Sequence, residues 1–259
     1  MLIDTHTHLY AEEFDSDRKE SVLSAISNNV SIMLLPAIDK SFHASLLQCV
    51  KNFQENCFPM LGLHPTSVKE NFSEEVDFIK SEIGNTKFYA IGECGLDYYW
   101  DKTFIREQEI ALRAQIDLAI QYNLPLVLHS RKSLNELISI IKEYKNDNLT
   151  GVFHCFPGNT QEAEKVIELG FMLGIGGVVT YKNSGMAEVV KDISLNHIIL
   201  ETDSPYLTPV PHRGKRNESS YIKIIAQKIA ELKNIAFEEV ETTTTGNALK
   251  LFNLPQSNE

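Results

Sequence analysis

Apolar residues follow two rhythms along this chain. Short runs that are almost wholly apolar, such as "SIMLLPA", "LPLVLH" and "HIIL", alternate with stretches whose apolar positions recur at helical spacing. The runs predict strands over 2–6, 31–37, 58–63, 88–93, 124–129, 151–155, 171–175 and 197–203. Strands apolar on both faces belong to a parallel sheet covered on each side. Between them, "DSDRKESVLSAISNN" sets Val22, Leu23 and Ile26 on one stripe, and "SFHASLLQCVKNF" aligns Phe42, Leu46, Cys49, Val50 and Phe53. "FIREQEIALRAQIDLAIQYN" is the longest amphipathic pattern, "KSLNELISIIKEY" follows the fifth strand, and "TQEAEKVIELG" stops at Gly170. Two further patterns, "YIKIIAQKIAELKN" and "AFEEVETTTTGNALKLF", close the chain before a polar, frayed "NLPQSNE".

Eight strands alternating with helices predict an α/β fold, a TIM-type (β/α)8 barrel. A doubly wound open sheet is the alternative, but no GxGxxG follows the first strand. No Pro-, Ser- or Gly-rich linker interrupts the pattern, so 1–259 reads as one domain.

Composition narrows the picture. No stretch has the roughly 18 apolar residues that span a bilayer, and the start lacks the features of a signal peptide. The four cysteines, Cys49, Cys57, Cys94 and Cys155, form no CxxC pair and read as reduced thiols of a cytoplasmic protein. A net charge of −11 argues against a large footprint on duplex DNA, though not against a small basic site that grips a strand end.

The chemistry lies where the strands end. In this kind of barrel the carboxyl ends of the strands share one face, and that face carries the active site. The first strand ends in "DTHTHL", with His6 and His8, and alternation puts Asp4 on their side. The third runs into "GLHP" with His64, the fourth into "IGECGLDYY" with Glu93 and Asp97, and the fifth into "LHSR" with His129 and Arg131. The sixth ends in "FHCF" with His154, and the eighth in "ETDSPYL" with Glu201 and Asp203. Any one of these could be a hydrogen-bonded core residue, and Glu93 could simply pair with Arg131. Together, unpartnered, they would cost several kcal/mol on burial, a cost that a shared cation removes. His6, His8, Glu93, His129, His154 and Asp203 exceed the needs of one tetrahedral ion, and two ions bridged by Glu93 use the set better. Nitrogen and oxygen donors suit Zn²⁺, Mn²⁺ or Mg²⁺ without choosing among them.

These motifs, with "ETDSPYLTPVPHRGKRNES", resemble the TatD family of metal-dependent deoxyribonucleases, within the amidohydrolase-like superfamily. The resemblance runs from Leu2 to the end of the chain. It implies a TIM-type barrel and divalent-metal-dependent hydrolysis of DNA, often as a 3′-to-5′ exonuclease preferring single strands. Carried over by motif, His6, His8 and Asp203 would bind one ion, His129 and His154 the second, and Glu93 both. His64 and the "HRGKR" segment would contact substrate. Ser219 stands where many members have Pro, which implies a looser helix start.

Roles follow from position. Asp203 is the expected base toward the attacking water, with Glu93 as the other catalytic carboxylate. Arg213, Lys215 and Arg216 are expected to bind phosphate, with a solvated basic loop as the alternative. His64 either contacts substrate or shapes its turn, and Arg131 either reaches a phosphate or pairs with a carboxylate. Glu201, deeper on Asp203's face, is placed to orient a ligand histidine, whereas Asp97 either does the same or fixes its loop. Cys94 and Cys155 should point toward the helices. Tyr98, Tyr99 and Trp100 either stack on bases or pack their loop. The expected partner is DNA, at single-stranded ends, with no membrane and no obligate protein partner. A metal-dependent hydrolase of a small ester, lactone or amide is the alternative on the same barrel, and a metal-bearing binding protein without turnover is a third reading.

Overall fold

The computed structural model describes residues 1–255, so the last four residues of the expected frayed tail lie outside it. Eight parallel strands form the centre: β1 (Leu2–Asp4), β2 (Val30–Leu35), β3 (Cys57–Pro59), β4 (Ile91–Asp97), β5 (Leu126–Arg131), β6 (Gly151–Phe153), β7 (Phe171–Ile175) and β8 (Ile198–Leu200). Neighbours in sequence are neighbours in space, in ladders β1–β2–β3 and β4–β5–β6–β7–β8. The ladders are joined at Leu61 and Ile91, where Leu61 N donates to Ala90 O and Gly92 N to Leu61 O. They close at Thr7 and Ser204, where Thr5 N donates to Leu200 O and Asp203 N to His6 O. The result is the (β/α)8 barrel, and the open-sheet alternative falls away because both gaps are bridged.

Nine α-helices accompany the strands among the described residues: α1 (Arg18–Ser27), α2 (His43–Asn52), α3 (Phe72–Glu82), α4 (Ile105–Tyr122), α5 (Leu134–Glu143), α6 (Thr160–Glu168), α7 (Met186–Asp192), α8 (Ile222–Lys233) and α9 (Phe237–Leu251). Local chemistry sets several ends. Asn159 and Glu162 form a reciprocal capping box on α6, and Gly170 follows that helix at a φ of 86°. Asn123 and Asn234 end α4 and α8 in the left-handed region, which Asn tolerates. Where Ser219 replaces the expected Pro, a 3-10 turn (Ser219–Tyr221) leads into α8. None of the described helices is long and apolar enough to cross a membrane.

Two elements escaped the hydrophobic pattern. α3 buries only Val76 and Ile79, too few for a clear stripe. α7 has seven residues, barely two turns. On α1 the stripe itself differs: Val22 is buried with Ser21 and Ala25, whereas Leu23 and Ile26 are exposed. β4 and β5 run past their expected ends, to Asp97 and Arg131, whereas five strands end earlier than expected, β1 at Asp4 and β8 at Leu200 among them. Beyond those points hydrogen bonds to side chains and neighbouring loops replace the ladder.

The core has two layers. Between strands and helices lies a large cluster that includes Leu2, Met33, Cys94, Leu128, Phe153 and Ile229. Inside the barrel Ile3, Leu34, Met60, Val127, Val152 and Ile199 meet, with Ala248 and Phe252 from α9 packed against them. Alternation carries the inner face of each strand from apolar to polar: Val127 to His129, Val152 to His154, Ile199 to Glu201 and Asp203. The same side of the sheet therefore builds the hydrophobic plug and, past it, the polar site.

Candidate metal centre

The centre of the carboxyl-end face is Glu93, a buried carboxylate on β4. Its two oxygens face different histidines. Oε2 lies 3.1 Å from His6 Nε2 and 3.9 Å from His8 Nε2. Oε1 lies 2.9 Å from His129 Nδ1, 3.3 Å from His64 Nε2 and 3.9 Å from His154 Nε2. Asp203 Oδ1 closes the far side, 3.5 Å from His8 Nε2 and 3.8 Å from both His6 Nε2 and His154 Nε2. The six expected ligands therefore converge, and His64 joins them: His64, Glu93 and His129 form one candidate ligand triplet, and His6, His8 and Asp203 another. The structure places His64 among the candidate ligands themselves. Its Nδ1 lies 2.6 Å from Thr66 Oγ1.

Outer partners fix which ring nitrogen carries the proton. Tyr10 donates its hydroxyl to Pro36 O at 2.6 Å, so His8 Nδ1, 2.9 Å from the same hydroxyl, must be the donor, and its Nε2 lone pair points inward. His154 Nδ1 lies 3.0 Å from Glu201 Oε2 and His129 Nε2 3.0 Å from Asp97 Oδ2, so with a cation at the centre each would give its outer proton to that carboxylate and turn its other nitrogen inward. His6 stacks on His154 with ring centroids 3.5 Å apart, and its buried Nδ1 has no hydrogen-bond partner among the described residues. Inward lone pairs and carboxylate oxygens packed this closely repel one another unless cations sit among them. The donor set fits divalent metal ions.

Electrostatics agree. Burial pushes the Glu93 carboxyl up, but the imidazoles of His64, His6 and His154 outweigh it and hold it well below the usual range. Burial likewise opposes ionisation of Asp203, and the neighbouring imidazoles of His8, His154 and His6 pull it below its ordinary value. His6 and His64 are lowered, chiefly by burial. Burial also works against charge on His154, yet Glu201 raises it well above an ordinary imidazole, and Asp97 with Glu93 raises His129.

The backbone makes room for these contacts. A Cβ on Gly174 of β7 would lie 2.4 Å from Glu201 Oε2, so only glycine lets that carboxylate reach His154. Gly95, at a φ of 141°, abuts the backbone carbonyl of His129.

Several expectations change. Asp4 does not share a face with the two imidazoles. The ladder ends there, and its carboxylate instead accepts from Thr202 N at 2.9 Å and Thr202 Oγ1 at 2.6 Å, tying β1 to the segment carrying Asp203. Burial raises that carboxyl to about 7 against these hydrogen bonds. Cys155 does not turn to the helices. Its φ of 41° takes it off the strand, and it lies with His154 and Glu201, whose Oε1 accepts its backbone N–H. Arg216 does not reach for a ligand. Its guanidinium is held by both Asp17 oxygens at 2.7 Å and by Glu13 O, and it covers Phe14. Arg213 stacks on Tyr181 at 4.2 Å, and Lys215 is exposed on the same loop. Arg131 pairs with no carboxylate among the described residues and lies over the rings of Tyr99 and Trp100. A groove of about 770 Å³ between α1 and α8 holds none of the cluster.

Tyr10 and Cys155 are the members that sequence reasoning missed. Tyr10 had a signal, since it extends the spacing of His6 and His8 by two more residues. Cys155 had none, because only its backbone turn brings it inward.

The sequence matches the TatD related DNase family over residues 3–253. The chain belongs to that family. As a TatD-family protein it is a metal-dependent hydrolase acting on ester bonds. It is 38% identical to the uncharacterized metal-dependent hydrolase YabD of Bacillus subtilis, across 98% of this chain and all of that one. It is 30% identical to the protein named 3′-5′ ssDNA/RNA exonuclease TatD in Erwinia tasmaniensis, again over 98% of this chain and all of the relative. The crystal structure of YjjV, a TatD homologue of Escherichia coli, superposes with a TM-score of 0.92 at 29% identity, covering 98% of each chain.

Proposed function

We propose that the protein is a divalent-metal-dependent deoxyribonuclease that removes nucleotides from single-stranded DNA ends in the 3′-to-5′ direction. The carrying observation is the division of Glu93, with one oxygen toward His6 and His8 and the other toward His129, His64 and His154. In this reading His6, His8 and Asp203 hold one ion, His129 and His154 the other, and Glu93 both. Two such ions, Mg²⁺, Mn²⁺ or Zn²⁺, would polarise a phosphoryl oxygen and lower the pKa of water.

The chain's own residues do the rest. Asp203, kept ionised by the surrounding imidazoles, accepts the proton of the attacking water. Glu201, Asp97 and Tyr10 hold three imidazoles in one tautomer each. Arg213 and Lys215 on the loop after β8 supply positive charge for phosphate, and Arg131 supplies more beside β5. Arg216 belongs to the packing of its loop. Strand preference and polarity draw support from the named exonuclease relative. Four thiols, with no disulfide among the described residues, support a cytoplasmic enzyme.

The test is cleavage of a single-stranded DNA oligonucleotide labelled at each end in turn. Metal-stripped protein, protein restored with each ion and an Asp203→Asn variant are compared. A metal-requiring ladder that shortens from the 3′ end and is absent with the variant supports the reading. No cleavage with any ion overturns it in favour of a small ester, lactone or amide.

A further inference from the structure

The loop that leaves β4 exposes an aromatic surface that the metal cluster does not use. Trp100 is 67% exposed and Tyr99 49%, whereas an aromatic pair that merely packed its loop would be covered. Their rings meet edge to face at 5.0 Å. The Arg131 guanidinium lies over both, 4.0 Å from the Tyr99 centroid and 5.0 Å from that of Trp100. Arg131 itself comes from β5, two residues past His129.

This surface is joined to the cluster by one carboxylate. Asp97 Oδ1 accepts the backbone N–H groups of Tyr99 at 2.9 Å and Trp100 at 3.0 Å. Asp97 Oδ2 accepts from His129 Nε2 at 3.0 Å. Its own backbone N–H is held by the buried Gln108 of α4. A shift of the loop therefore moves Asp97, and a shift of Asp97 turns His129. Such coupling is of no use to a freely waving loop. It suits a surface that must keep a set distance from the centre.

We propose that Trp100, with Tyr99 and Arg131, is a stacking shelf for a nucleobase of the substrate strand, and that Asp97 sets its register against the metal centre. The inference rests on the nuclease reading. Aromatic faces and a guanidinium plane accept any unpaired base, since every base presents a π-face, and a duplex hides those faces. The shelf thus favours single strands, tolerates any sequence, and positions a nucleotide near the scissile phosphate.

Trp100 is the sole tryptophan, so its fluorescence reports on the shelf alone. Metal-loaded Asp203→Asn protein would be titrated with oligo-dT and with an abasic strand of equal length. Stacking quenches the emission with oligo-dT and much less with the abasic strand. In wild-type turnover, the KM for the abasic strand should exceed that for oligo-dT by roughly tenfold. Trp100→Ala should collapse this ratio toward one with kcat on oligo-dT largely kept, and Trp100→Phe should restore most of it. Equal quenching by both strands, or a ratio that survives Trp100→Ala while DNA is still cleaved, overturns the shelf alone. Failure of the wild type to cleave any strand overturns the nuclease reading and the shelf with it.

Discussion

The two halves of the histidine cluster are supported differently. On the β1 side, His8 leans on a neutral phenol, Tyr10, and His6 has no outer partner at Nδ1 among the described residues. On the β5–β6 side, His129 and His154 each give their outer proton to a carboxylate, Asp97 and Glu201. Burial lowers His6, whereas the carboxylates lift His129 and His154 against burial. A carboxylate behind an imidazole makes it a better electron donor. The second half should therefore grip its cation more firmly, leaving the first half, with Asp203, the more exchangeable one.

The groups shared by both halves should matter most. Glu93→Gln is expected to lose both ions by metal analysis and to cut turnover by about a thousandfold or more. Asp203→Asn should still load both ions, the first more weakly, while losing about 10²–10⁴-fold in turnover, the usual range for a lost acid–base group. If Glu93→Gln kept one tightly held ion, the carboxylate would not serve both halves.

A smaller effect tests the asymmetry itself. Glu201→Gln should weaken one metal step by about 10–100-fold in a calorimetric titration. Tyr10→Phe should weaken the other by less, because it removes only a neutral acceptor. Equal losses would end the comparison.

The mildest effect separates the two arginines of the basic loop. Arg213→Ala should raise the KM for oligonucleotides. Arg216→Ala should leave KM alone and cost under about 1 kcal/mol in urea unfolding, since its pair with Asp17 is partly exposed. The hydrogen bond from Arg216 lowers the Asp17 carboxyl below its ordinary value, against a small opposing effect of burial. That stability is therefore fully present above the unfolded value of about 4 and lost as pH falls through the lower folded value. The gap between wild type and Asp17→Asn should be constant at neutral pH and close only in acid.

Apolar runs were a sufficient guide to the barrel because a buried parallel strand must be apolar on both faces, as in "SIMLLPA". They were a poor guide to α3 and α7, whose buried faces hold few residues. β1 and β8 were read too long and β4 and β5 too short, because where a ladder stops is set by the neighbouring strand and not by the run itself. The candidate ligands were readable as a set, since imidazoles and carboxylates at so many strand ends of one barrel must meet on one face, although Asp4, Asp97 and Glu201 show that a single such residue has other uses. Arg216 was misjudged because a charge in a basic segment says nothing about the carboxylate it meets, here Asp17 from 199 residues away.

By itself, then, the sequence determined the parallel barrel and the convergence of six ligand-type residues at one end, both consequences of periodicity and of where polar residues interrupt it. Only the tertiary structure decided which nitrogen each imidazole turns inward, that His64 and Cys155 join the cluster, and that Asp97 ties the aromatic loop to His129. Those outcomes depend on partners far apart in the chain and on backbone turns at single residues, which no local pattern encodes.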